Sequence, residues 1–176
     1  MSDLERWQQT NDVYLSRALH WLRLRLAQQV PPLERTLAVP EPSSRRNLGW
    51  CRWFRRKPPQ SHPPEASIRF VRGESLEAAA AAMAEAANAS PVPALIQLAH
   101  RFGLSEFEQQ VLLLCVAMEL DPQVAKLCAR VQGMPEPGYP TFALALGLFD
   151  YPAWDVMSPE RPLRFWRMLE INQPGA

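Results

Sequence analysis

The densest grouping of chemically capable side chains in this sequence runs from Arg45 to Lys57, RRNLGWCRWFRRK. The candidate partner-binding residues are Arg45, Arg46, Trp50, Arg52, Trp53, Phe54, Arg55, Arg56 and Lys57. Guanidinium groups interleaved with indole rings can grip phosphates while stacking on bases. They can sit at an anionic membrane surface. They can also dock on an acidic protein patch, because Trp and Arg dominate binding hot spots. A fourth placement is internal: Trp50, Trp53 and Phe54 fold back onto the domain while the arginines stay solvated. Fold-back is the commoner fate of such a stretch, and among external partners protein comes ahead of nucleic acid or membrane.

Nothing in the remaining sequence assembles a catalytic or cofactor site. A phosphate loop needs GxxxxGK[ST], so that backbone N–H groups cradle phosphate, and that pattern is absent. No GxGxxG follows a strand, and there is no GxSxG elbow. His20, His62 and His100 are far apart and lack metal-ligand spacing. The paired carboxylates Glu106/Glu108 and Glu119/Asp121 fall at helix boundaries, where capping accounts for them. The expectation is a chain that is not an enzyme, with no cofactor, no metal and a protein partner.

Composition narrows the class further. A net charge of +1 leaves no global field to drive binding to nucleic acid or membrane, so any basic site is local. Hydrophobic residues at 47% and charged residues at 21% suit a globular fold with its own core. Cys51, Cys115 and Cys128 form no CxxC pair, which points to reduced thiols. Cys115 and Cys128 lie in apolar helical patterns and read as core residues. The N-terminus lacks a secretory pattern. The longest apolar run, Val111 to Met118, is far below the ~20 residues of a membrane span. The chain is therefore expected to be cytoplasmic.

Four stretches organise the sequence. Residues 1–30 read as one long helix from Asp3 to Gln29, with Leu4, Trp7, Tyr14, Ala18, Leu22 and Leu26 near one stripe. Trp21 and Leu24 lie off that stripe, which suits a helix buried on two sides or one that docks a partner. Residues 31–66 are proline-rich and carry the basic and aromatic stretch, a composition that favours loop backbone. Residues 67–90 hold an alanine-rich helix capped by Ser75, with Leu76, Ala80, Met83 and Ala87 on one face. That helix is either packed closely or a solvent-exposed connector.

Residues 91–176 have the clearest punctuation. Ala94 to Arg101 is a short helix stopped by Gly103. Ser105 and Glu108 form a capping box before a helix reaching Leu120, apolar nearly all round between Val111 and Met118. Asp121-Pro122 opens a helix to about Val131, and Thr141 caps another from Phe142 to Phe149. Arg164 to Ile171 alternates like a strand. This order predicts a mainly α chain: a helical N-terminal arm plus an incomplete winged-helix domain of three helices and a β-strand. The sequence reaches Ala176 where the wing turn belongs, so the domain reads as truncated in the wing. The segment in the recognition-helix position, Thr141 to Phe149, has no Arg, Lys, Asn or Gln and cannot read base edges. The preceding helix offers only Lys126 and Arg130.

Three blocks carry a family resemblance: RFGLSEFEQQVLLLCVAMELD (101–121), YPTFALAL (139–146) and PLRFWRMLEI (162–171). They resemble the region before the ATPase module in a group of bacterial AAA+ proteins. Those proteins have an N-terminal winged-helix domain and are often encoded with phage-tail-like extracellular contractile injection systems. YLSRALHWLRLRL (14–26) is similar to their leading helix. The resemblance covers most of residues 1–30 and 94–176. It implies a non-catalytic interaction or regulatory domain that couples a remodelling ATPase to a client or assembly. No position here matches the family's phosphate-loop or magnesium motifs, so no nucleotide-binding residue carries over. The alternative is a winged-helix protein that binds nucleic acid through backbone phosphates, using Arg45 to Lys57.

Overall fold

A computed structural model describes residues 2–31, 75–134 and 138–171. These residues belong to one compact unit. Among them the architecture is helical throughout, with seven α-helices and one 3-10 turn.

Helix α1, Asp3–Gln29, starts at a capping box in which Ser2 and Glu5 satisfy each other's backbone N–H. Asp3 and Glu5 place negative charge on its first turn, where the helix dipole favours it. Its buried residues are Tyr14, Ala18, Trp21, Leu22 and Leu26. Helix α2, Leu76–Ala87, lies along α1, with Ser75 as its N-cap. Ala79 and Ala86 are buried there, and Leu76, Ala80, Met83 and Ala87 flank them against the core. Small side chains allow this close approach, so α2 is a packed helix and not an exposed connector.

Helix α3, Ala94–Phe102, ends at Gly103 with φ 64°, and Leu104 N–H returns to the Ala99 carbonyl at 3.0 Å. Helix α4, Glu106–Leu120, begins at the Ser105/Glu108 capping box. Helix α5, Pro122–Gln132, opens on Asp121 with Pro122 in its first turn and stops at Gly133 with φ 62°. Helix α6, Phe142–Leu148, is capped by the Thr141 hydroxyl. A 3-10 turn, Trp154–Met157, leads to the four-residue helix α7, Pro162–Phe165.

Three expectations need correction. First, α1 is no arm. It contacts α2, α4, α5 and α6 and contributes fully buried Ala18, Leu22 and Leu26 to the shared core. Trp21 is buried too, stacked on Phe149 with centroids 6.1 Å apart, so the off-stripe residues serve a second packed side. Second, α4 is not enclosed all round. Val111, Leu113, Leu114 and Ala117 are buried, but Val116 and Leu120 are exposed. Third, Arg164 to Ile171 is not a strand, and no strand occurs among the described residues. Pro162 sits in the first turn of α7, and Leu163 is fully buried, anchoring that turn. Arg167 then adopts φ 53°, Met168 N–H bonds the Leu163 carbonyl at 2.9 Å, and Arg167 N–H bonds the Arg164 carbonyl at 3.1 Å. That is a Schellman stop. The apparent alternation of apolar residues comes from one helical turn plus its cap.

Candidate interaction surface

The residues singled out by sequence, Arg45, Arg46, Trp50, Arg52, Trp53, Phe54, Arg55, Arg56 and Lys57, lie outside the described residues. The loop reading of 31–66 and most of the range 67–75 lie there as well. What the described residues show is how the scaffold uses its other polar groups.

Helix α6 is the segment that the sequence order assigns to the recognition-helix position, and it is held at both ends by side chains. At its C-terminal end Arg25 Nε donates to the Leu148 carbonyl, and Gln29 Nε2 donates to the Gly147 carbonyl at 2.6 Å. Arg25 also pairs with Asp150 at 2.7 Å and lies 5.7 Å from the centre of the Trp21 ring. At the N-terminal end Gln132 Oε1 accepts from Thr141 Oγ1 at 2.6 Å, while its Nε2 donates to the Tyr139 carbonyl at 2.8 Å. The helix itself exposes only Ala143 and Gly147. Neither has a side-chain donor or acceptor, so α6 offers nothing that discriminates base edges.

Two of the carboxylates named from sequence, Glu108 and Asp121, hold elements of the fold together. Glu108 is fully buried, and its Oε2 accepts from Ser105 N–H at 2.9 Å, Ser105 Oγ at 2.8 Å and Arg161 Nη2 at 3.0 Å. Arg161 also reaches Asp155 at 3.5 Å, so one guanidinium ties the start of α4 to the 3-10 turn and α7. Asp121 caps α5 and pairs with Arg23 of α1 at 3.4 Å. No cluster of His, Cys, Asp and Glu able to hold a metal occurs among the described residues. Cys128 is buried and Cys115 partly so. Burial raises both thiols above their ordinary range, that of Cys128 to about 11 with Cys115 adding to the shift. Burial also pushes Tyr14 up to about 12. All three are held in their neutral, unreactive forms.

Sequence reasoning missed the aromatic exposure at the C-terminal end. Tyr151, Trp154, Phe165 and Trp166 are exposed. The strand reading of 164–171 puts Phe165 and Trp166 on opposite sheet faces. The signal that finds them is Pro162 followed by four residues of helix-compatible sequence, which turns Phe165 and Trp166 outward while Leu163 goes in.

No described helix is long and apolar enough to cross a membrane. A family model described as a winged helix domain, variant, matches residues 9–153. Searches of curated proteins and of solved structures found no match.

Proposed function

This chain belongs to the variant winged-helix domain family, and from that premise we propose that it is a non-catalytic protein-interaction and regulatory domain. The observation that carries this reading is the chemistry of α6: the helix in the recognition position is apolar, tied down at both ends and without a base-reading side chain. A winged helix built this way contributes packing surface. The resemblance of residues 101–121, 139–146 and 162–171 to the region ahead of a AAA+ module supports a finer statement. The domain couples such an ATPase to a client or assembly, with a contractile injection system as the setting. The stretch Arg45 to Lys57 is its proposed docking element, and the domain acts in the cytoplasm.

A filter-binding titration of the chain with duplex DNA at ~50 and ~200 mM salt tests the reading, since phosphate-driven binding collapses over that range. No retention at either salt concentration is expected. Retention at low salt that disappears at high salt would overturn it in favour of sequence-independent nucleic-acid binding through Arg45 to Lys57. An ATPase assay on the same preparation is expected to be blank.

A further inference from the structure

A second surface with chemistry of its own lies where α7 meets the end of α3. Phe165 and Trp166 are 63% and 53% exposed, with ring centroids 5.0 Å apart and planes at 88°. Trp166 also meets Phe102 of α3 edge-on at 5.2 Å, which fixes its ring against the body of the domain. Arg164 and Arg167 bracket the two rings in sequence, and Arg101 precedes Phe102. Among the described residues none of these three arginines pairs with a carboxylate. Arg6, Arg17, Arg23, Arg25 and Arg161 all do.

Arg167 supplies an independent pointer. Helices α3 and α5 stop at glycines in the left-handed region, Gly103 and Gly133, whereas α7 stops with an arginine in the same conformation. A non-glycine residue there is strained, and such strain persists where the surroundings or function require the side chain. The Arg167 side chain makes no hydrogen bond or ion pair among the described residues, and the residue is exposed, next in sequence to Trp166.

We infer that this corner docks an acidic peptide segment of a protein partner. An apolar side chain of that segment fills the angle between Phe165 and Trp166, and its carboxylates pair with Arg101, Arg164 and Arg167. Trp and Arg in a fixed setting are the residues that dominate such contacts. Perpendicular rings do not form a platform on which successive bases stack. A four-residue helix provides no amphipathic face for a membrane. The surface is separate in sequence from Arg45 to Lys57, and α7 lies beyond the span matched by the family model, so the inference does not depend on that stretch being a docking element.

The test pans a phage library of random peptides on the full chain and titrates the recovered peptides by fluorescence anisotropy. Enrichment of Asp or Glu around Leu, Phe or Trp is expected. Affinity should fall roughly tenfold or more in Trp166→Ala and in the Arg164→Glu/Arg167→Glu double variant. It should be unchanged in Arg45→Glu/Arg46→Glu/Arg55→Glu/Arg56→Glu. If Trp166→Ala loses its helical circular dichroism, the double variant decides, because its arginines have no internal polar partner to lose. The inference is overturned if no acidic consensus emerges or if binding survives both α7 variants. Loss only in the Arg45–Arg56 variant overturns it too. So does tight oligo(dT) binding that the double variant abolishes, or a dimer by light scattering that Trp166→Ala dissolves.

Discussion

The two ends of the described chain use similar residues for opposite purposes. Helix α1 is rich in arginine and carries Trp7 and Trp21, and most of this chemistry is engaged by partners within the fold. Arg17 donates to the Ala82 carbonyl and pairs with Glu85, Arg23 pairs with Asp121, and Arg25 caps α6. Trp7 Nε1 donates to the Val92 carbonyl at 3.2 Å, and Trp21 stacks on Phe149. At α7 the composition is the same, but Arg164, Arg167, Phe165 and Trp166 are left with little internal partnership. The difference is one of length. A 27-residue helix can lie across α2, α5 and α6 and meet a partner at each turn. A four-residue helix buries one side chain, Leu163, and must show the rest. Arginine–tryptophan content is therefore a poor guide to binding until the element that carries it is known.

The comparison breaks most easily at α1. If the helix is part of the core, Leu22→Ala leaves a cavity beneath a fully buried side chain and costs about 3–4 kcal/mol. Urea denaturation followed by circular dichroism measures it as a lowered midpoint at constant slope. A cost below about 1 kcal/mol would mean that α1 behaves as a detachable arm. The next largest effect concerns the tie that holds α7 and the 3-10 turn to the start of α4. Glu108→Ala removes the N3 half of the α4 capping box and strands Arg161, whose side chain is one-third exposed. Breaking a fully enclosed pair costs about 3–5 kcal/mol, and the exposure of Arg161 reduces this to about 2–3 kcal/mol. Glu108→Gln keeps a capping-box side chain while deleting the charge, so it should lose clearly less. Equal losses for the two variants would assign the whole effect to Arg161.

Much of the helical scaffold was legible because its punctuation is local. Ser105 with Glu108, Asp121 with Pro122, Thr141, and Gly103 are capping signals whose physics operates within one turn, and each lies where the sequence predicts. What α1 packs against was not legible, since Trp21 meets Phe149 across more than a hundred residues. Period-2 alternation misled at 164–171 because four helical residues followed by a Schellman stop mimic it over so short a span. The buried partnership of Glu108 with Arg161 has no sequence signature at all: the capping box shows why a Glu stands at that position, not that an arginine 53 residues on will close over it. A candidate interaction surface was legible only as composition. The stretch Arg45 to Lys57 announces itself by residue type, whereas the α7 corner depends on which side of a single turn faces outward.

The smallest effect sharpens the comparison from the other side. Arg167 holds φ 53° at the end of α7, where Gly103 and Gly133 hold φ 64° and 62° at the ends of α3 and α5. Left-handed backbone costs a Cβ-bearing residue about 1–2 kcal/mol, and glycine avoids that cost while losing more chain entropy on folding. Arg167→Gly should therefore stabilise the domain by up to about 1 kcal/mol, seen as a raised urea midpoint, because no ion pair or side-chain hydrogen bond is lost with the guanidinium. Gly103→Ala, made at an already relaxed stop with open space around the added methyl, should destabilise by about the same amount. Opposite signs at two stops of the same geometry would show that α7 gives up stability to keep an arginine beside Phe165 and Trp166. A loss of stability in Arg167→Gly would instead mean that the side chain supports the fold, and the α7 corner would join α1 as a region whose arginine is already in use.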